Sequence, residues 1–345
     1  MAFLDFVNTI ATKTILPGIT DNVLKNDPLL AKLRKERTEP YPGGPSWQEN
    51  FMYDVVQTTA YDPGDTFDLP MIQTTTGGTV TPRYYETPVV AYIEKIKLEM
   101  AGPKAVFGYV DNIMQNAAFS MSATLANDIY RHGQNLSGSD RHTKINGLDE
   151  ALSDASVSGW DGRTYANYLT VPRSSVNSAL NSPMTGPTAN VAGPISFPIL
   201  EQAASSCMLG PEMVDTIITT NLGFSYVKMV FQPQQRFETI DPELGFQSLT
   251  FNGAKIMPSQ YAPGSRTAST VDTKVGYSAT TGETMWFLNT KYLRFYVATD
   301  SLFGFGFTGF IPAQNNSVVA GRYHFSGNFT CQAPRLSREL FGITG

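Results

Sequence analysis

The side chains able to do chemistry are few and scattered. His132, His142 and His324 are far apart, no two share a metal-ligand spacing, and His132 reads as a cation at a helix C-terminus. Cys207 and Cys331 are too few for a disulfide framework or a multi-cysteine zinc site. They fit a reducing compartment, and Cys207 falls on a helical stretch as a small apolar residue. Residues 304–309, GFGFTG, match the formal G-x-G-x-x-G spacing of a dinucleotide turn, yet they lie among aromatics and open no helix. Asp62, Asp65 and Asp68 stand three apart, whereas a helix–loop–helix calcium loop spaces its ligands two apart, so they read as a solvated turn, with a weak metal contact at a ribbon bend as the alternative. Asp149 and Glu150 are adjacent and on a helix would not face each other, which argues against paired acid–base work. No nucleophile elbow, phosphate loop or H-E-x-x-H is present. The reading is a non-enzyme, with no catalytic, cofactor-binding or metal residue and no cofactor.

Composition points the same way. Of 345 residues 41% are hydrophobic, enough for a sizeable core, but only 16% are charged, against roughly 25% in an ordinary soluble domain. That excludes a disordered chain, and the shortage of Glu and Lys excludes a coiled coil. The net charge of −5 carries no basic footprint for gripping nucleic acid. Residues 51–90 stand apart, with five acids (Asp54, Asp62, Asp65, Asp68, Glu86) and one base, Arg83. No apolar run reaches the length of a membrane span, and the first residues lack the apolar core of a secretory signal.

The elements emerge from spacing and punctuation. Residues 1–45 read as an arm, with Leu24, Leu29, Leu30 and Leu33 on one face of a short helix. Residues 51–93 read as a β-ribbon with turns at 61–65 (YDPGD) and 76–78 (TGG); Pro82 and Pro88 restrict its return arm to an edge or an irregular ribbon. Val106, Val110, Ile113, Met114, Ala117, Met121, Leu125 and Ile129 recur at three and four residues and predict a helix over 103–133, closed by Gly133. A helical patch is expected around 163–180. A helix over 199–209 opens at Ser196 and closes at Gly210. A buried strand is expected at 213–220, with Asn221 as the cap of the next element. Asn252-Gly253 predicts a hairpin, and 293–299 alternates as a strand.

In this order the elements resemble the major capsid proteins of tailed bacteriophages. The detail lies in ATLANDIYRHGQ (123–134), INGLDEAL (145–152), CMLGPEMVDTIITTNLGFSYV (207–227), QPQQRFE (232–238), GFQSLTFNGAKIMPS (245–259), MWFLNTKYLRFYV (285–297) and SGNFTCQAPR (326–335). The resemblance implies an α+β fold with an N-terminal arm (1–45), an E-loop hairpin (46–93), a P-domain (94–165) with a spine helix over 103–133, an A-domain (166–284), and β segments (285–345) returning to complete the P-domain. It implies a structural protein of the virion, assembled in the host cytoplasm. That protein forms hexamers and pentamers of an icosahedral shell around double-stranded DNA, contacted non-specifically. Its partners are itself, a portal, and scaffolding or decoration proteins, with no membrane. The alternatives are a protein-cargo shell of the encapsulin kind, which shares the fold, and a β-rich hydrolase. Some family members crosslink through an E-loop lysine; here no lysine lies between Lys35 and Lys95.

Overall fold

The computed structural model of the chain describes residues 27–41, 43–52, 58–66, 74–95, 103–131, 133, 144–173, 180–183, 189–231, 239–240, 247–264, 282–302, 304–313 and 317–345. Helix α1 (Pro28–Glu36) starts on a proline, whose missing N–H costs nothing there, and ends on Arg34 and Lys35, where the helix dipole favours cations. Strands β1 (Thr38–Tyr41), β2 (Trp47–Met52), β3 (Thr75–Val80) and β4 (Arg83–Tyr92) precede the long helix α2 (Pro103–Asp128). Then come a single turn, α3 (Leu148–Ala151), and a minimal hairpin, β5 (Asn167–Tyr168) and β6 (Val171–Pro172). Next are β7 (Asn190–Pro194), α4 (Phe197–Ser206), β8 (Thr216–Thr220), α5 (Asn221–Phe231), β9 (Thr239–Ile240), β10 (Gln247–Phe251) and β11 (Ala254–Ser259). The last stretch is β12 (Glu283–Leu288), β13 (Leu293–Ala298), β14 (Gly304–Phe307), β15 (Ile311–Pro312), β16 (Val318–Cys331) and β17 (Arg338–Thr344).

Two sheets organise these elements. The first runs β1-β13-β16-β14, with β15 and β4 also on β16; the second runs β7-β17-β12-β8-β11-β10-β9. The apolar stripe of α2 is buried in one core with Phe295, Phe325 and Phe329 of the first sheet. Helices α4 and α5 bury Leu200, Ala203, Phe224, Val227 and Phe231 in a second core. The second sheet serves both. Ile217, Met285 and Phe287 point into the α4–α5 core, while their neighbours Ile218, Trp286 and Leu288 belong to the α2 core. Successive side chains on a strand point to opposite faces, so a strand between two cores is buried at every position. That accounts for the buried run Thr216–Thr220.

Several sequence expectations need correction. The helix predicted over 103–133 stops at Asp128, because the next residues are claimed by other elements. Ile129 gives its carbonyl to the N–H of Leu148, and Tyr130 turns to Asp27. The TGG at 76–78 is not a turn. Gly77 and Gly78 lie inside β3 opposite Asn50 and Glu49, and a Cβ on Gly78 would sit 2.7 Å from the Phe51 ring and 2.9 Å from the Leu169 carbonyl oxygen. Glycine is there for close approach. The first half of the expected helical patch at 163–180 is the β5–β6 hairpin, turned through Leu169 and Thr170 at positive φ; residues 174–179 lie outside the described ones. The helix expected to Leu209 ends at Ser206, with Gly210 beyond it at φ +59. Thr220, not Asn221, caps α5, its hydroxyl accepting the N–H of Gly223 at 2.9 Å. The Asn252-Gly253 hairpin forms as expected, both residues at positive φ, and Pro88 does sit on an edge strand. Residues 1–26, 134–143, 232–238 and 265–281, with His132 and His142, lie outside the described residues.

Candidate assembly surfaces

Strands β2 and β3 pair antiparallel from Trp47–Val80 at the base to Met52–Thr75 and form the root of a ribbon. The root is anchored. Phe51 is buried against Tyr168, ring centres 6.0 Å apart, and the Thr79 N–H reaches the Leu169 carbonyl at 2.9 Å. Trp47 packs between Tyr41 and Tyr296 at 4.6 and 4.9 Å. Buried Glu49 accepts the Tyr296 hydroxyl at 2.9 Å and the amide of Gln332, which ties the root to β13 and the end of β16.

The tip is the opposite. Residues 58–66 are exposed at every position, and Tyr61 is 65% exposed. Pro63 and Gly64 turn the chain, Gly64 at φ +110, and the Asp65 N–H closes on the Asp62 carbonyl while its carboxylate takes the Asp62 N–H at 2.9 Å. These two acids therefore serve a turn, as the spacing suggested. Asp68, Phe67, Leu69, Met71 and Ile72 lie outside the described residues.

Three more apolar groups face solvent. On β4 the even positions Tyr84, Val90 and Tyr92 are exposed while Val89 and Ala91 are buried, and exposed Ile311 sits opposite Ala320, the residue paired with Val90. Phe119 projects from the outer face of α2. Met208, Leu209 and Met213 come after α4, and Met229 stands on α5. Large exposed apolar groups gathered in patches mark contact surfaces, which makes the β4 residues, with Ile311 two strands away, the candidate here. The alternation along 84–92 is one of burial only; the residues themselves, YYETPVVAY, do not alternate in polarity, so the sequence carries no signal for the β4 patch.

Among the described residues, those weighed for chemistry stay apart. His324 lies on β16 opposite Glu86, and Glu86 pairs with Arg322 at 3.4 Å. The first four residues of GFGFTG form β14, where a Cβ on Gly306 would strike the Ser301 and Leu302 backbone. Glu150 accepts the Gly133 N–H and the Asn146 amide, while Asp149 faces Asp161 and Glu339, so the two acids diverge. Burial pushes the Cys207 thiol up to about 11 and Cys331 to about 12, far from reactive thiolate character. Among the described residues no three His, Cys, Asp or Glu side chains are arranged to hold a metal ion, and no helix is long and apolar enough to cross a membrane.

No protein-family model and no curated protein matches the sequence. Solved structures do match in fold. The capsid asymmetric unit of cyanophage A-1(L) superposes with a TM-score of 0.63 at 14% identity, over 94% of each chain. The SrpI encapsulin of Synechococcus elongatus PCC 7942 gives 0.55 at 8% identity, over 91% of this chain and 87% of that one. Gordonia phage Cozz gives 0.52 at 10% identity, over 93% and 88%. Superposition over nine-tenths of the chain on capsid and encapsulin subunits means that this chain has the fold of the tailed-bacteriophage major capsid proteins, the fold encapsulin shells share.

Proposed function

We propose that the chain is a non-enzymatic shell protein of a tailed phage, which self-assembles into hexamers and pentamers of an icosahedral capsid around double-stranded DNA. The observation that supports it most directly is the ribbon: a firmly rooted hairpin with a wholly exposed tip, on a body that matches capsid subunits along its length. A two-stranded ribbon is at best marginal in water, so such a tip gains its stability on another subunit. In this reading residues 46–93 are the E-loop, α2 is the spine helix of the P-domain, and residues 166–284 with α4 and α5 form the A-domain. The ribbon lies over the spine region of a neighbour. The exposed methionines beyond α4 and on α5 meet their equivalents around the capsomer axis. A stable contact buries on the order of 1,600 Å², and a shell multiplies such contacts per subunit. A chain with a net charge of −5 suits a container that must not hold DNA site by site. Portal, scaffolding and decoration proteins would be its further partners, the virion its location, and the host cytoplasm its place of assembly.

The test is microscopy and sedimentation of the purified chain, alone and after replacing residues 59–65 with a short Gly-Ser turn. The excision stays at the tip because Phe51 and Val80 at the root are core residues. Burying Tyr61 on a neighbour is worth about 1.5–3 kcal/mol per contact. Closed particles from the intact chain, and a folded but unassembled subunit from the shortened one, are expected. A single monomeric species at all concentrations, or normal shells without the tip, would refute the reading. Particles filled with protein and devoid of DNA in the natural source would shift it to a cargo shell.

A further inference from the structure

Three carboxyl groups from separate segments meet inside the subunit. Asp149 lies on α3, Asp161 in the loop after it and Glu339 on β17; all are at most 2% exposed. They converge over Gly159, which has no side chain to fill the space. A Cβ there would lie 2.9 Å from Asp149 Oδ1, 3.6 Å from Glu339 Oε2 and 3.8 Å from Asp161 Oδ1.

The donors around them are unevenly shared. Asp161 receives the Tyr165 hydroxyl and the Arg163 N–H, and Glu339 Oε1 receives the Trp160 N–H. Neither oxygen of Asp149, nor Glu339 Oε2, is reached by any donor. The groups that Asp149 does meet are the carboxyls of Asp161 and Glu339. Two carboxylates cannot hydrogen-bond, whereas an acid and a carboxylate can.

Charged neighbours are engaged elsewhere. Glu150 faces the Gly133 N–H and Asn146. The Arg173 guanidinium donates to the carbonyls of Leu180, Glu150 and Ala151. Arg338, on the opposite face of β17, donates to Ser206. Burying three carboxylates together without a compensating charge is prohibitive, and such sites neutralise by taking up protons.

We propose that this cluster is a proton-held clasp: Asp149 keeps a proton in the folded subunit at neutral pH, shares it with Asp161 and Glu339, and so ties α3 and its loop to β17. The clasp joins the two halves of the molecule, since Leu148 and Ala151 of α3 belong to the α2 core and Leu340 and Ile343 of β17 to the α4–α5 core. Burial and the facing carboxylates push both Asp149 and Glu339 well above the ordinary carboxyl range. An acid whose folded value is raised contributes stability that is complete at low pH and is lost as the pH rises through that value. Alkaline solution therefore releases the proton to solvent, leaves adjacent buried charges, and loosens the joint.

The experiment uses the purified full chain and its Asp149→Asn and Glu339→Gln variants. Infrared difference spectra between neutral and about pH 9 should show a carboxylic-acid carbonyl band in the wild type that Asp149→Asn removes, with about one proton taken up per chain on folding near neutrality. Between pH 7 and about 9, where the Asp27 contribution no longer changes, melting should fall with rising pH in the wild type and stay level in Asp149→Asn. Absence of the acid band, or an unchanged alkaline slope in Asp149→Asn, overturns the clasp. So does a melting point that a chelator lowers and calcium or magnesium restores, because a cation would then hold the cluster. Should Asp149→Asn fail to fold, the wild-type band and the Glu339→Gln slope decide.

Discussion

Asp27 offers the sharpest test of how the molecule is held together. Its carboxylate is fully buried and accepts four donors from three elements: the N–H groups of Leu29 and Leu30 at 3.0 and 3.3 Å, the Tyr130 hydroxyl at 2.8 Å, and the Ser259 hydroxyl. It caps α1 and fastens it to the end of α2 and the end of β11. Burial outweighs these bonds and pushes the carboxyl from its ordinary 3.8 up to about 6. Because the folded value is raised, the contribution is fully present below pH 3.8 and is lost as the pH rises through about 6. At 1.36 kcal/mol per pH unit the change amounts to about 3 kcal/mol. Asp27→Asn keeps a capping oxygen and removes the charge. Urea unfolding of unassembled subunits, monitored by circular dichroism, should show the variant gaining about 2.4 kcal/mol of this on the wild type between pH 4 and pH 7. An offset that stays constant over that range would refute the reasoning, since neutral hydrogen bonds lost to asparagine cost the same at every pH. Asp27→Ala, which loses the cap, should be the weaker protein throughout, by about 1 kcal/mol or more.

Two further outcomes are expected. Ala118→Pro lies within α2 on its buried face, removes an internal hydrogen bond and clashes with the preceding turn, costing about 3 kcal/mol or more; soluble yield and thermal melting should both collapse, and a normal melting curve would show that α2 tolerates a break. Assembled particles boiled in denaturant and reductant should run as one monomer band, because residues 36–94 hold no lysine to form an isopeptide bond; a ladder of higher bands would contradict this.

Local chemistry was legible in the sequence where a residue's own neighbours decide its conformation. The three- and four-residue spacing along 106–129 gave α2, Asn252-Gly253 gave its hairpin, and Pro63-Gly64 gave the ribbon's turn. The misses are places where a distant partner decides. Gly77 and Gly78 look like a turn until Phe51 and Leu169 claim the space above them. The end of α2 is set by Leu148 and Asp27, not by Gly133. Asp149 and Glu339 are 190 positions apart in the chain, and no short-range pattern announces that they meet. The split of β8 and β12 between two cores was hidden as well, for Ile217-Ile218 and Met285-Trp286-Phe287-Leu288 are unbroken apolar runs that read alike whichever cores they separate.

Strand β16 has a bearing on when the subunit can exist at all. It pairs with β4, β13, β14 and β15, so the first sheet has no centre until Val318–Cys331 is available. At roughly 5–20 residues per second, β4 leaves the ribosome tens of seconds before its partner. Throughout that interval its exposed tyrosines and unpaired edge are held by nothing in the sheet. A chain cut short before residue 318 lacks the strand that seats β4 and, through Asn328, the Thr81 carbonyl beside the ribbon's root. Synthesis thus screens its own product: only a molecule read through to its last sheet strands presents a firmly mounted ribbon to a neighbour.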